Sequence, residues 1–414
     1  MLKTAQAESP YSRLRWPIVG LLFASTVINY IDRQSLAVLA PHLKDLQGWS
    51  NEQFAYVVIA FRLAYAVGQP LMGRLLDRVG SVAGLTFSVF WYSTAAVLTP
   101  LAQGLWSLCG FRFLLGIGEA GNWPGAAKVV AERFPPKERA LGVAIYDSGS
   151  AVGAAIAPFL VLGLLHFTGS WRAALAIPGI LGFLWILCWR RVAGRAPVPA
   201  VAEDTIAINR PAPLRQLLQR SDTWGIMLGR TLTDPVWFFV TDWFAIYLVS
   251  KQIRLEEGVL AFWIPFLAAD AGNFLGGGIS SFLVGRGWDP VTARKAVICV
   301  TGLGMTSIGL AIFTSNLLVL AGLFSLATCC YAAWSTMALT LPADIYPGNA
   351  VASVSGLGGA LSGAGTMLAT FLIGRISDRY SFEPVLVAAS LIPLVATSVV
   401  MLLVRNRKGA VVNV

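Results

Sequence analysis

Asp32 and Arg33 stand side by side in INYIDRQSLAV, and Arg112 precedes Glu119 in GFRFLLGIGEAGNWPG. Both strings are otherwise apolar. An ionised side chain at the centre of a bilayer costs from about 3 to more than 10 kcal/mol, so acids and bases there come paired and serve a purpose. Arginine offers a planar fork that grips a carboxylate through two hydrogen bonds. A carboxylate held between desolvation and a nearby guanidinium is poised to take up and release a proton. The combination points to a membrane transporter that handles an organic anion and a proton.

The spacings say how these groups are presented. Arg112 and Glu119 are seven residues apart, so on a helix they share a face, about 10 Å apart along the axis. Their span runs from outside to inside, which puts Arg112 toward the outer leaflet and Glu119 near mid-depth. A static structural ion pair is the plainer reading; the cost of intramembrane charge favours proton coupling. Asp32 and Arg33, being adjacent, point about 100° apart, so one can meet a neighbouring helix while the other faces a cavity. Tyr30 and Tyr65 offer hydroxyls to a polyol, although tyrosine is common near membrane interfaces.

The second half contributes Arg230, Asp234, Asp242, Asp270, Asn273, Tyr331 and Trp334 in or near apolar spans. Arg230 and Asp234 at i,i+4 can satisfy each other. Asp270 and Asn273 are candidate cavity groups, and Tyr331 and Trp334 suit a stacking wall for a sugar ring, with core packing as the alternative. Asp147 either lines the cavity or pairs with an arginine. His42 and His166 fall near the outer edge, poor places for a main proton carrier.

Two glycine-rich motifs need separate readings. Gly73-Arg-Leu-Leu-Asp77-Arg78-Val-Gly80 lies between the second and third apolar spans. Its glycine lets helices approach closely, and Asp77 can cap a helix end and pair with a cation on a neighbour. Making and breaking such a pair biases one access state over another; a merely solvated, positively charged loop is the alternative. The matching loop of the second half, GGGISSFLVGRG, lacks the acid, and GRISDRY at Gly374–Tyr380 falls on the outer side. Gly116-Ile-Gly118-Glu-Ala-Gly121 spells a dinucleotide fingerprint, but that motif needs a strand before it and a βαβ unit around it. Inside a membrane span its glycines serve close helix packing.

The elements that must hold these residues follow from composition. The chain has 414 residues, 56% hydrophobic and only 13% charged, too apolar for a soluble protein of this size to cover. Apolar spans lie near 17–39, 53–76, 82–101, 104–131, 138–165, 171–191, 223–250, 257–284, 294–314, 316–342, 348–376 and 383–405. A crossing needs about 20 residues, so twelve fit. The class is an all-α polytopic membrane protein.

One long polar break, rich in Pro, Ala and Arg, separates the spans six and six. It predicts an N-terminal six-helix bundle over 1–190, a cytoplasmic linker over 191–222 and a C-terminal bundle over 223–414. A weak repeat supports the division. ERFPPKERALGVAIYDSGSAVGAAIAPFL from Glu132 shadows DIYPGNAVASVSGLGGALSGAGTMLATFL from Asp344 at an offset of 212. Parallel repeats of this kind place the substrate near the midplane between two halves that rock.

Charge sets the orientation. The net charge of +10 could suggest nucleic acid, yet most Lys and Arg fall on one side of the spans. They include Arg74, Arg78, Lys137, Arg139, Arg190, Arg191, Arg286, Arg294 and the run Arg405–Lys408. This is the positive-inside bias, and it puts both termini in the cytoplasm; Arg375 and Arg379 are a local exception. The five cysteines sit in apolar spans without metal-type spacing, as inert small hydrophobes. MLKTAQAESPYSRLRW shows no removable signal.

NYIDRQ, GRLLDRVG, FRFLLGIGEAGNWPGAAK and ERFPPKERALGVA resemble the anion:cation symporters of the major facilitator superfamily. These include the bacterial hexuronate and galactonate transporters and the lysosomal sialic acid transporter. RTLTDPVWFFVTDWFAIYL and FWIPFLAADAGNFLGGG are more similar to hexuronate transporters. The resemblance covers nearly the whole chain and implies the major facilitator fold. It implies that Asp32 and Glu119 are the protonatable coupling residues and that Arg33 holds the substrate carboxylate near Tyr30 and Tyr65. It further implies that Arg112 pairs with a carboxylate, Asp32 first, and changes partner during the cycle. Gly73, Asp77 and Arg78 belong to its gating loop, while Asn273, Tyr331 and Trp334 stay local inferences.

The resulting expectation is a proton-coupled symporter of the bacterial inner membrane that imports a sugar acid, a hexuronate first. It needs no cofactor beyond the proton as coupling ion, has the lipid bilayer and a small organic anion as partners, and works as a monomer without nucleic acid. An aldonate such as galactonate, tartrate or another organic acid is the alternative substrate. A sugar-acid sensor that binds without moving its ligand is the reading from another class, and the gating loop argues against it. No nucleophile–base arrangement or metal-ligand cluster suggests an enzyme.

Overall fold

Local signals set many of the helix ends. Ser50 accepts from the Gln53 N–H while the Gln53 side chain returns to Ser50 N, a capping box that starts α2 (Asn51–Val79). Asn316 and Asp289 cap the starts of α12 (Leu317–Ile345) and α11 (Pro290–Gly304). Gly169, at φ 65°, ends α6 (Pro136–Thr168) in the left-handed conformation that glycine adopts without penalty.

The computed structural model describes residues 10–195, 211–253 and 259–405. Around the elements above run α1 (Pro10–Gln47), α3 (Ser81–Leu98), α4 (Leu105–Glu119), α5 (Asn122–Arg133) and α7 (Trp171–Val192). After a short α8 (Leu214–Leu218) come α9 (Ser221–Ser250), α10 (Val259–Gly285), α13 (Val351–Arg379) and α14 (Glu383–Leu403). A 3₁₀ segment, Met305–Phe313, prolongs α11. Much of the expected linker, and Arg407 and Lys408 of the terminal basic run, lie outside the described residues, as does the side chain of Asp242.

Among the described residues, nine helices are long and apolar enough to cross a membrane. The pair α4 and α5, with α9 and α10, makes up the other three crossings. The fourth crossing is divided between two helices, and α9 carries Asp222, Arg230, Asp234 and Asp242 along its length. The fourth span, read as continuous over 104–131, is split after Glu119: α4 ends there and α5 begins at Asn122.

The helices form two six-helix bundles of like construction. In the first, α1 packs on α6, α2 on α4 and α3 on α7; in the second, α9 packs on α13, α10 on α12 and α11 with its 3₁₀ extension on α14. The bundles meet chiefly along α2 against α13 and α6 against α10.

Polar groups stitch the helices together where apolar packing alone would not discriminate between neighbours. Asn122 accepts from Ser25 Oγ at 2.9 Å and donates to Thr26 Oγ1 at 3.2 Å, tying α5 to α1. The glycines of GIGEAG serve helix contact, as their place in a membrane span predicts. A Cβ on Gly116 would fall 2.6 Å from Phe61 O on α2, and one on Gly118 would fall 2.7 Å from Tyr92 N on α3. Small residues thus let three backbones converge around Glu119.

Candidate functional site

The break after Glu119 leaves its carboxyl at the end of α4, facing α1. Glu119 is fully buried, and its Oε2 accepts from both Nε (3.2 Å) and Nη2 (3.0 Å) of Arg33. Glu119 Oε1 has no hydrogen-bond partner. The Arg33 guanidinium is boxed by three rings, with centroids 5.0 Å away for Tyr30, 5.1 Å for Phe61 and 4.7 Å for Tyr65. Cation–π attraction of this kind grows when the cation is shielded from water. The Arg33 side chain keeps a quarter of its surface exposed, so it is held by protein without being sealed off.

Asp32 is 3% exposed, and neither carboxylate oxygen has a hydrogen-bond donor. Arg112 does not reach that carboxylate: its Nη1 donates to the Asp32 backbone carbonyl at 3.3 Å, and its Nε is unpartnered. The pairing expected between Arg112 and Asp32 is therefore replaced by a side chain to main chain contact. α4 packs on α2 and α3 and reaches α1 through long side chains, and Arg112 ends at the α1 backbone instead of at the acid.

Across the molecule, Asp234 gathers three donors. Arg230 Nη2 lies 3.3 Å from Oδ2, Tyr331 OH donates to Oδ1 at 3.1 Å, and Ser362 Oγ donates to Oδ2. Trp237 stacks on Tyr331 with centroids 5.8 Å apart and 9° between planes. Trp237, which the sequence reading did not single out, thus supplies the aromatic wall beside Tyr331. Trp334 does not: it is fully buried and donates to Thr397 Oγ1 at 3.2 Å within the second bundle. Its indole is core packing between α12 and α14. Asn273 is also buried, accepting from Thr336 Oγ1 at 2.9 Å. Asp147 accepts from Trp123 Nε1 at 3.0 Å, with Trp123 packed 5.9 Å from Tyr30. No group of three or more metal-ligating side chains occurs among the described residues.

The hydrogen bonds described between the halves all lie at the end carrying the Gly73–Gly80 loop. Asp77 accepts from Lys128 Nζ at 2.9 Å and from the N–H groups of Ala352 (3.2 Å) and Ser353 (2.7 Å) at the start of α13. Lys128, a residue absent from the sequence reading, also donates to the Gly348 carbonyl. Gly73 lies against the Ala352 carbonyl with no room for a Cβ.

A second latch sits beside it. Asp344 accepts from Arg139 Nη1 and Arg294 Nε, both at 3.0 Å, while Arg139 also reaches Ala343 O at 2.6 Å and Arg294 reaches Pro136 O at 2.6 Å. The repeat carried the signal for it, since an offset of 212 sets Asp344 opposite Glu132. Glu132 in turn belongs to the first latch, accepting from Ser81 Oγ and lying 3.6 Å from Lys128. Arg78 takes no part in either latch.

Two six-helix bundles, tied at one end and holding buried ion pairs, have the construction of a membrane transporter and not of an enzyme. The chain belongs to the Major Facilitator Superfamily, whose profile matches residues 22–370. It is 28% identical over 411 residues to the hexuronate transporter of Escherichia coli strain K12, with 95% of each chain covered. It is 30% identical over 421 residues to the D-galactonate transporter of Escherichia coli O6:H1, covering 96% of this chain and 97% of the relative. The galacturonate transporter of Dickeya chrysanthemi is 30% identical over 326 residues, 74% of this chain and 94% of the relative. Among solved structures, the proton:xylose symporter XylE matches with a TM-score of 0.72 at 14% identity, covering 95% of this chain and 96% of that one. That likeness concerns the fold.

Proposed function

We propose that the chain imports a sugar-acid anion together with a proton, with a hexuronate such as glucuronate or galacturonate as the first substrate. The observation that carries this reading is the pair Arg33–Glu119 inside its aromatic cage. Arg33 can serve one carboxylate fully at a time. A substrate carboxylate therefore competes with Glu119, and a proton on Glu119 hands the guanidinium to the substrate. Proton and anion then enter as a pair because each makes room for the other. Asp32, buried without a donor, is the second proton carrier. Tyr30, Tyr65 and the Tyr331–Trp237 wall take the hydroxyls and ring faces of the sugar.

With both termini in the cytoplasm of a bacterial inner membrane, the latched end is the cytoplasmic one. This arrangement is then the outward-facing state, with Arg33 awaiting substrate from outside. Loading lets the Asp77 and Asp344 latches open as the halves rock, and loss of the Glu119 proton to the cytoplasm returns Arg33 to Glu119 and expels the anion.

An aldonate is the second reading, favoured by the 30% identity to a D-galactonate transporter over almost the whole chain. Uptake of labelled glucuronate, galacturonate and galactonate into proteoliposomes, with and without an inward proton gradient, tests both. Accumulation of a uronate supports the first, and accumulation of galactonate alone supports the second. Uptake indifferent to the gradient contradicts the coupling.

A further inference from the structure

Beside the Asp77 latch, at the same end of the first bundle, lies a cavity of about 710 Å³. Its chemistry is split in two. On one side stand Arg78, in the last turn of α2, and Arg190, in the last turn of α7. Both are exposed, and neither has a hydrogen-bond or ion-pair partner among the described residues. The acids that share the cavity are already engaged: Asp77 by Lys128 and the start of α13, Glu132 by Ser81 and Lys128. On the other side the wall is apolar, with Phe87 and Phe90 of α3. These rings are 42% and 54% exposed on a membrane-crossing helix, so the wall runs on into the lipid-facing surface.

No small soluble anion matches both sides, since it would leave the aromatic wall uncovered. A bare acyl chain would leave two guanidinium groups without a counter-charge next to hydrocarbon. We propose that the cavity binds an anionic glycerophospholipid from the leaflet at that end, its phosphate on Arg78 and Arg190 and its acyl chain over Phe87 and Phe90. Arginine suits this role because its fork matches phosphate oxygens, and the volume lies within the range that holds a ligand of headgroup size. Gly348 and Asn349 of the second bundle complete the cavity. The lipid therefore meets both halves only while this end is shut, and a ligand that prefers one arrangement shifts the population toward it. This site is independent of which sugar acid is carried.

The test is native mass spectrometry of the full-length protein released from bilayers of dioleoyl phosphatidylglycerol mixed with dioleoyl phosphatidylcholine. The wild type is expected to retain one phosphatidylglycerol in preference to phosphatidylcholine. Losing the charge-assisted hydrogen bonds should weaken that retention about tenfold in R78Q/R190Q, while R286Q, which removes an exposed arginine from the α10–α11 loop, leaves it unchanged. Millimolar glycerol 3-phosphate should not displace the lipid. Equal retention of the two lipids, an equal loss in R286Q, or displacement by glycerol 3-phosphate would each overturn the proposal, the last by assigning the cations to a soluble anion. Should the double variant not fold, R190Q carries the same test, and wild-type retention in it overturns the proposal equally.

Discussion

Arg33 gives two N–H groups to a single oxygen of Glu119, at 3.2 and 3.0 Å, and leaves the other oxygen of that buried carboxyl bare. One oxygen satisfied by a cation and one without a donor is an unfinished site. It holds the arginine in place without using up the acid. Replacing Glu119 by Gln fixes the neutral form, so Arg33 is permanently free for substrate. In E119Q, substrate exchange across the membrane should persist while gradient-driven accumulation disappears. Counterflow and uptake assays on the same vesicles separate the two, and retained accumulation would remove Glu119 from the coupling role.

Arg33→Lys tests the fork itself. Lysine keeps the charge but cannot offer two parallel donors or lie flat between Tyr30, Phe61 and Tyr65. Substrate affinity measured by calorimetry should fall about tenfold or more, the cost of one charge-assisted hydrogen bond, with the fold unchanged by circular dichroism. Wild-type affinity in R33K would place the substrate carboxylate elsewhere.

Asp32→Asn removes an ionisable group whose carboxylate accepts no hydrogen bond. Thermal stability should therefore stay at or above that of the wild type, because no buried hydrogen bond is broken. Accumulation against a gradient should fail all the same. A large drop in melting temperature would mean that Asp32 holds a structural contact.

The two latches make a separate prediction. Asp77→Asn loses the ion pair with Lys128, and Asp344→Asn loses those with Arg139 and Arg294. Spin labels on α2 and α13 at the latched end should report longer and broader distances in either variant. The double variant should exceed both, since each latch alone still ties the halves. Unchanged distances in all three would show that apolar packing of α2 on α13 suffices to keep this end shut.

Much of this organisation is legible in the sequence because hydropathy acts on each span alone. The helices and their division into two like bundles follow from local pattern. Partner choice does not. Seven-residue spacing puts Arg112 and Glu119 on one face, but only the tertiary placing of α4, packed on α2 and α3, decides that Arg33 takes Glu119 and that Arg112 meets a backbone carbonyl. Trp334 and Trp237 are alike in composition and context, yet one packs between α12 and α14 and the other stacks on Tyr331. Helical period alone could not rank them, because every face of a helix in a membrane bundle is apolar. The split after Glu119 has a local signal in Gly121-Asn122-Trp123-Pro124 that span length alone does not weigh, and the part Lys128 plays depends on Asp77, which another helix supplies.

The most direct test of the central claim is uptake of labelled glucuronate and galacturonate by the purified protein in proteoliposomes, with and without an inward proton gradient. Accumulation above the equilibrium level with the gradient, and its collapse on adding a protonophore, is the predicted result. Uptake that stops at equilibrium whatever the gradient would contradict proton-coupled import.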